Sequence, residues 1–258
     1  EWLNTAIYRF HPENGLRPAT TYTARIEAGL QDNQGAVLEE PYSWIFTTVP
    51  PTALSWSPIS NEEHVGPGEV ISVTFNQPMD HESTESAFEL RIGTRAVAGS
   101  FRWSGGEEPL EPETMVFVPD QPLPRNADGF VQVDASARAR GSDESDSGVR
   151  LTGDLSWTFQ TVKSPGIIST WPDDGAQDVD PYSDVEIYFA GPMQRDALLD
   201  HLTILPEPTD VYTYWSQSDT ELRLAFPKEP ATSYEVELDA EYADKYGLSL
   251  GESLRLRF

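Results

Sequence analysis

An all-β chain, built as a tandem array of two-sheet sandwiches, is the fold class this sequence predicts, and three observations predict it. Phrases recur at domain-length intervals. Thr74-Phe75-Asn76-Gln77-Pro78-Met79-Asp80 returns as Tyr188-Phe189-Ala190-Gly191-Pro192-Met193-Gln194, with the prolines 192 − 78 = 114 positions apart. Trp44-Ile45-Phe46-Thr47-Thr48-Val49 returns as Trp157-Thr158-Phe159-Gln160-Thr161-Val162, with 159 − 46 = 113 positions between the phenylalanines. Solenoid repeats have periods of roughly 20–50 residues, whereas a unit of this length can own a core. Apolar residues also alternate with period two in short stretches, the pattern of half-buried strands. Finally, Pro, Gly, Asp and Asn punctuate those stretches, as in a sandwich with many turns.

In chain order, Ile7-Tyr8-Arg9-Phe10 reads as a strand closed by Pro12, and Pro18-Ala19-Thr20-Thr21-Tyr22 leads into the next alternating strand. Trp44 and Phe46 mark the last strand of this first, partial unit. Val70–Phe75 places Ile71, Val73 and Phe75 on one face, and Val185–Phe189 repeats the phase with Val185, Ile187 and Phe189. The phase matters because a slip of one residue would turn every apolar group outward. A short helical turn is expected after each Pro-Met, over 82–88 and 195–202. Strands then recur around Phe117, closed by Pro119, and around Phe226, closed by Pro227. Pro230-Ala231-Thr232-Ser233-Tyr234 repeats the corner of the first unit, while Arg125–Phe130 is looser and its phase is open. Closing strands carry Trp157 with Phe159, and Leu256 with Phe258.

The implied units are 1–49, the back half of a domain, then 50–163, a complete domain, and 164–258, a third. Their linkers, Val49-Pro50-Pro51 and Val162-Lys163-Ser164-Pro165, are short and proline-bearing, which predicts a semi-rigid array. Arg140–Gly148 is polar and Gly/Ser-rich and reads as a mobile surface hairpin. Glu1 is not a natural start, so the chain reads as a piece of something longer.

Composition excludes several functions. With Asp+Glu 43 against Lys+Arg 17, the net charge of −26 repels nucleic acid and anionic membrane surfaces. The absence of cysteine removes disulfides, thiol nucleophiles and thiolate metal sites. No apolar run reaches the length of a membrane span. Trp 7, Tyr 10 and Phe 11 are too many for a disordered acidic tail, so the chain is expected to fold.

These phrases resemble the bacterial Ig-like domain first associated with S-layer proteins of the SbsA type. The residues that carry the resemblance are Trp171-Pro172-Asp173-Asp174-Gly175-Ala176, Phe189-Ala190-Gly191-Pro192-Met193, Phe75-Asn76-Gln77-Pro78-Met79-Asp80 and Trp157-Thr158-Phe159-Gln160-Thr161. Gln194 departs from the usual Asp, and Ser57-Pro58-Ile59-Ser60-Asn61 lacks the Asp-Gly of the opening loop. The resemblance covers essentially the whole chain. It implies tandem Ig-like β-sandwiches from an extracellular or cell-envelope bacterial protein, usually without catalysis. Similar arrays occur in S-layer proteins, adhesins, secreted enzymes and bacterial alpha-macroglobulins. The last trap proteases through a Cys-Gln thioester, which these cysteine-free residues do not carry.

Candidate chemistry is sparse. His11, His64, His81 and His201 fall in no metal-ligand spacing. His81-Glu82-Ser83 has triad residue types, but neighbours on one turn cannot converge as a triad does. Asp173, Asp174, Asp178 and Asp180 cluster at the opening of the third unit, where they either shape a turn or supply oxygens to calcium. Asp143, Glu144 and Asp146 are a weaker cluster of the same kind. Trp103 and Trp215 occupy matching strands, either as core anchors or as platforms for a carbohydrate ligand. Met79 and Met193 are expected to plug the ends of their sandwiches. Residues 1–49 hold only later strands, which leaves an apolar face and an open edge suited to strand addition. The expected function is therefore a non-catalytic structural spacer whose partners are other domains of its own chain. A carbohydrate- or protein-binding adhesion module is the alternative, and the front section of a protease-trapping alpha-macroglobulin is a third.

Overall fold

A computed structural model describes residues 1–12, 15–107, 111–140 and 150–258. The hairpin expected over 140–148, with Asp143, Glu144 and Asp146, lies beyond Arg140 outside the described residues. The chain is nearly all β. Contacts divide it into two compact units, one of Glu1–Asn61, Val70–Gln121 and Gly129–Thr158, the other of Glu62–Glu69, Pro122–Asp128 and Phe159–Phe258.

The first unit begins with the antiparallel hairpin β1 (Thr21–Ile26) and β2 (Tyr42–Thr47). Its register pairs Tyr22 with Phe46 and Ala24 with Trp44, so the apolar residues share one face. Tyr22 stacks on Phe46 at 5.6 Å between centroids, yet Tyr42, Trp44 and Ile45 remain exposed. The strand expected over 7–10 does not form. Tyr8 makes an isolated bridge to Trp2, and Phe10 is exposed. Alternation alone specifies no strand without a ladder partner for its backbone.

The middle part of the chain contributes β3 (Ala53–Ser57), β4 (Glu62–Val65), β5 (Ile71–Phe75), α1 (His81–Ala87), β6 (Phe88–Ile92) and β7 (Arg95–Ala96). There follow β8 (Gly99–Gly105), β9 (Glu113–Pro119), β10 (Asp128–Val133) and β11 (Leu155–Thr161). One sheet has the order β3-β5-β9-β8 and the other β4-β11-β10-β6-β7. Ile71, Val73 and Phe75 are buried in the predicted phase, with Met115 and Phe117 opposite. Phe88 of β6 meets Phe117 of β9 at 4.8 Å between centroids, so rings from the two sheets share a core. The open phase near residue 126 resolves in favour of Val131 and Val133, which are fully buried.

In the second unit the last sandwich is built from β12 (Ile167–Trp171), β13 (Val185–Phe189), α2 (Leu198–His201), β14 (Leu202–Leu205), β15 (Tyr212–Trp215), β16 (Glu221–Ala225), β17 (Glu235–Leu238) and β18 (Leu254–Arg257). A sheet of order β12-β13-β16-β15 faces one of order β14-β17-β18 across a single core. That core contains Val185, Ile187, Phe189, Leu222, Leu224 and Leu256. Among the described residues, no helix is long and apolar enough to cross a membrane.

Candidate functional site

The repeated Pro-Met phrase ends a core strand and turns the chain into a capped loop. Met79 and Met193 are both fully buried, each bridged to a returning segment, through Ala139 and Asp244 respectively. Asp80 begins α1, its Oδ1 accepting the backbone N–H of Ser83 at 2.9 Å. Burial pushes the Asp80 carboxyl up, but the Ser83 hydrogen bonds, helped by Arg138 and His81, outweigh it and hold the group below its ordinary value. His81-Glu82-Ser83 therefore opens a helix, with Ser83 bonded back to Asp80.

Next to this loop stands a carboxylate that is 1% exposed. Glu113 lies in phase with Met115 and Phe117 on β9, on the core side of its sheet. Its Oε2 accepts the Met79 N–H at 2.7 Å. Its Oε1 accepts from Arg140 Nη2 at 2.6 Å and lies 3.0 Å from His81 Nε2. A buried carboxylate with both oxygens so engaged is a structural anchor. The strand phase was its signal in the sequence, since a Glu two residues before Met115 must point inward.

The second unit has a counterpart in Asp244, which is fully buried. Its Oδ1 accepts the backbone N–H groups of Tyr246 and Leu248, both at 2.9 Å, and its Oδ2 accepts from Arg125 Nη1 at 2.6 Å. Arg125 also donates to the Lys163 carbonyl, and the Tyr246 hydroxyl donates to the His64 carbonyl. Gly66 is required here, because a Cβ would stand 2.4 Å from the Tyr246 ring.

The aspartates proposed for calcium serve the backbone. Asp174 Oδ1 accepts the Arg257 N–H at 2.9 Å, and Asp180 Oδ1 accepts that of Tyr182 at 2.9 Å. Asp173 accepts from Ala176 through its carbonyl, and Asp178 occupies the left-handed region at φ 56°. Asp178 and Asp180 line an open cleft of about 740 Å³ with Lys228, Thr232, Tyr234 and Phe258. Burial lowers the Lys228 pKa, and its Nζ is tied to the Ser183 carbonyl at 2.6 Å. Among the described residues, no group of three or more His, Asp or Glu side chains converges to hold a metal.

Trp103 and Trp215 both turn toward their own sandwiches. Trp103 stacks on His81 at 4.0 Å, and its Nε1 donates to Glu85 at 2.8 Å. Trp215 stacks on Phe189 of the core at 6.0 Å. The exposed aromatics lie elsewhere. On the outer face of the last sandwich, the pairings Trp171↔Glu186, Glu186↔Arg223 and Arg223↔Tyr214 define one row across four strands. Tyr188 flanks this row on one side, opposite Glu221, and Tyr212, on the edge strand, flanks it on the other, opposite Ala225. Strand periodicity marked none of these aromatics, because only the register of four separated strands brings them together.

The sequence profile described as bacterial Ig-like domain matches residues 2–48, 47–161 and 162–258. No curated protein matches. Among solved structures, the N-terminal part of the bacterial S-layer protein SbsC is similar at 13% identity and a TM-score of 0.32. The match covers 81% of this chain and 44% of that one, so the chain spans less than half of this relative. Native alpha-2-macroglobulin from Escherichia coli, domains MG0-NIE-MG1, is similar at 13% identity and a TM-score of 0.31, covering 80% of this chain and 71% of that one. LD transpeptidase LdtMt1 in complex with imipenem is similar at 16% identity and a TM-score of 0.30, covering 64% and 61%. Likeness this distant says nothing of activity or partners.

Proposed function

Since the chain belongs over its whole length to the bacterial Ig-like domain family, we propose that it is a non-catalytic structural spacer in a surface or secreted bacterial protein, of the S-layer type its motifs resemble. The observation that carries this reading is how the chain is used up. Three tandem matches run from residue 2 to residue 258 and leave no stretch between them for another domain. The most buried carboxylates fit the same reading. Glu113 and Asp244 are bound to backbone N–H groups and an arginine each, where they hold loops in place. The net charge of −26 suits a module that stays solvated outside the cell and avoids polyanions.

A screen of the purified chain against peptide, ester and glycoside substrates tests the non-catalytic part. The expected result is no turnover above buffer. Hydrolysis that disappears in Glu113→Gln or Asp244→Asn variants retaining their fold would overturn it.

A further inference from the structure

We propose that the outer face of the β12-β13-β16-β15 sheet is a binding surface for a neutral polysaccharide, with Trp171 and Tyr214 as its stacking platforms. This goes beyond the spacer reading and does not depend on it.

Three aromatics of this face are open to solvent. Trp171 is 45% exposed, Tyr212 58% and Tyr214 57%. Trp171 and Tyr214 end one row that crosses four strands, about 14 Å at the usual inter-strand spacing. That length suits an oligosaccharide stretch rather than a single sugar. Between them stand Glu186 and Arg223, and Glu221 lies on the same face. These polar groups are already organised. Arg223 Nη2 is 2.9 Å from Glu221 Oε1 and Arg223 Nε 3.6 Å from Glu186 Oε1, while the Tyr188 hydroxyl donates to Glu186 Oε2 at 2.6 Å.

The fold does not require this set of residues, as the middle part of the same chain demonstrates. There the equivalent sheet is β3-β5-β9-β8, with the same pairing scheme. Through the registers of its strands, Trp171, Glu186, Arg223 and Tyr214 correspond to Ser57, Ser72, Val116 and Arg102. Tyr188, Glu221 and Tyr212 correspond to Thr74, Thr114 and Ser100. One sandwich thus presents mostly small hydroxyl residues where the other presents four aromatic rings and two carboxylates. Exposed rings gathered into one patch, rather than scattered singly, mark a surface for an external partner.

Chemistry selects the partner. A pyranose ring offers apolar C–H groups on its face and hydroxyls at its edge. The face stacks on Trp or Tyr, and the edge hydroxyls bond to carboxylate and guanidinium. A protein hot spot would instead need an apolar cluster that can be fully desolvated. The centre of this row is an arginine set between two glutamates. Anionic polymers are disfavoured by the two carboxylates on the face and by a net charge of −26. A neutral glycan satisfies both constraints.

The test is titration of the whole chain with cellohexaose, chitohexaose, mannohexaose and laminarihexaose, followed by calorimetry and tryptophan fluorescence, with a heparin hexasaccharide beside them. The expected result is saturable binding of at least one neutral hexasaccharide and none of heparin. Affinity should fall tenfold or more in Trp171→Ala and in Tyr214→Ala, and remain unchanged in Ser57→Ala. Tyr214 lies exposed on an edge strand, so its variant remains informative if Trp171→Ala unfolds. No binding of any neutral hexasaccharide, tighter binding of heparin, or binding that survives substitution in a folded variant would each overturn the proposal.

Discussion

The backbone N–H of Glu229 donates to the Tyr234 hydroxyl at 2.9 Å, five residues ahead in the chain. The same bond recurs from Arg17 to Tyr22 at 2.7 Å. In both copies the alanine three residues before the tyrosine takes positive φ, 55° at Ala231 and 48° at Ala19. This is the corner by which a sandwich strand is pinned to the loop that enters it. Tyr234 is buried, so Tyr234→Phe should cost about 1 kcal/mol and lower the melting temperature by roughly 4 °C. Tyr22→Phe, on the more exposed hairpin, should cost less. Thermal denaturation of the two variants checks the order.

Glu113 supports a stronger expectation. Glu113→Ala removes the acceptor for the buried Met79 N–H and one partner each of the half-exposed Arg140 and His81. The loss should be about 3 kcal/mol, because the N–H left behind is buried. Glu113→Gln keeps the shape and one acceptor and should cost about half as much. Denaturant melts followed through Trp103, which stacks on His81, would report both.

Acid should weaken the cap of α1. The Asp80 carboxyl sits below its ordinary value of 3.8 in the folded chain, so the unfolded chain binds its proton more readily. Its contribution is complete above that value and is lost as pH falls through the lower, folded value. Asp80→Asn retains the cap oxygen without the charge. It should flatten the acid limb of the stability curve while costing little near neutrality, whereas Asp80→Ala should cost about 1 kcal/mol at pH 7.

Calcium should have no specific effect. Asp174 and Asp180 each spend an oxygen on a backbone N–H, and no described group of three acidic or histidine side chains surrounds a common point. Melting temperatures in chelator, millimolar calcium and millimolar magnesium are therefore expected to agree to within a degree or so, because stabilisation by an ion requires that it bind the native state. A rise confined to calcium and abolished by Asp174→Ala with Asp178→Ala would contradict this expectation and establish the ion-binding reading.

The strands that own a core were legible because period-two alternation and burial coincide at Ile71–Phe75 and Val185–Phe189. The turn expected over 195–202 shortens to Leu198–His201, where Ala197 offers no side-chain cap. The helical turn after Met79 was legible for a local reason as well, since Asp80 is a good cap three residues before Ser83. Phase at the middle corner was not. Asn126 takes the left-handed position that Ala19 and Ala231 take, and Gly129 stands where Tyr22 and Tyr234 supply the hydroxyl, so the motif had lost its marker. Residues 7–10 alternate without a partner strand and stay irregular. The aromatic row on the last sandwich was hidden for another reason. Trp171 and Tyr214 are far apart in sequence, and only the ladders through Glu186 and Arg223 set them on one face. Two tryptophans at matching repeat positions, Trp103 and Trp215, stood out in the sequence but pack against His81 and Phe189.

A spacer must hold its length under load, and single-molecule force extension of the chain, pulled from its two ends, measures that directly. The account predicts two discrete unfolding steps, one for each sandwich with its own core. Each should add roughly 300–400 Å of contour, as expected for about a hundred residues at 3.3–3.6 Å each. Smooth extension without steps would contradict the account of the chain as a spacer built from separately folded sandwiches.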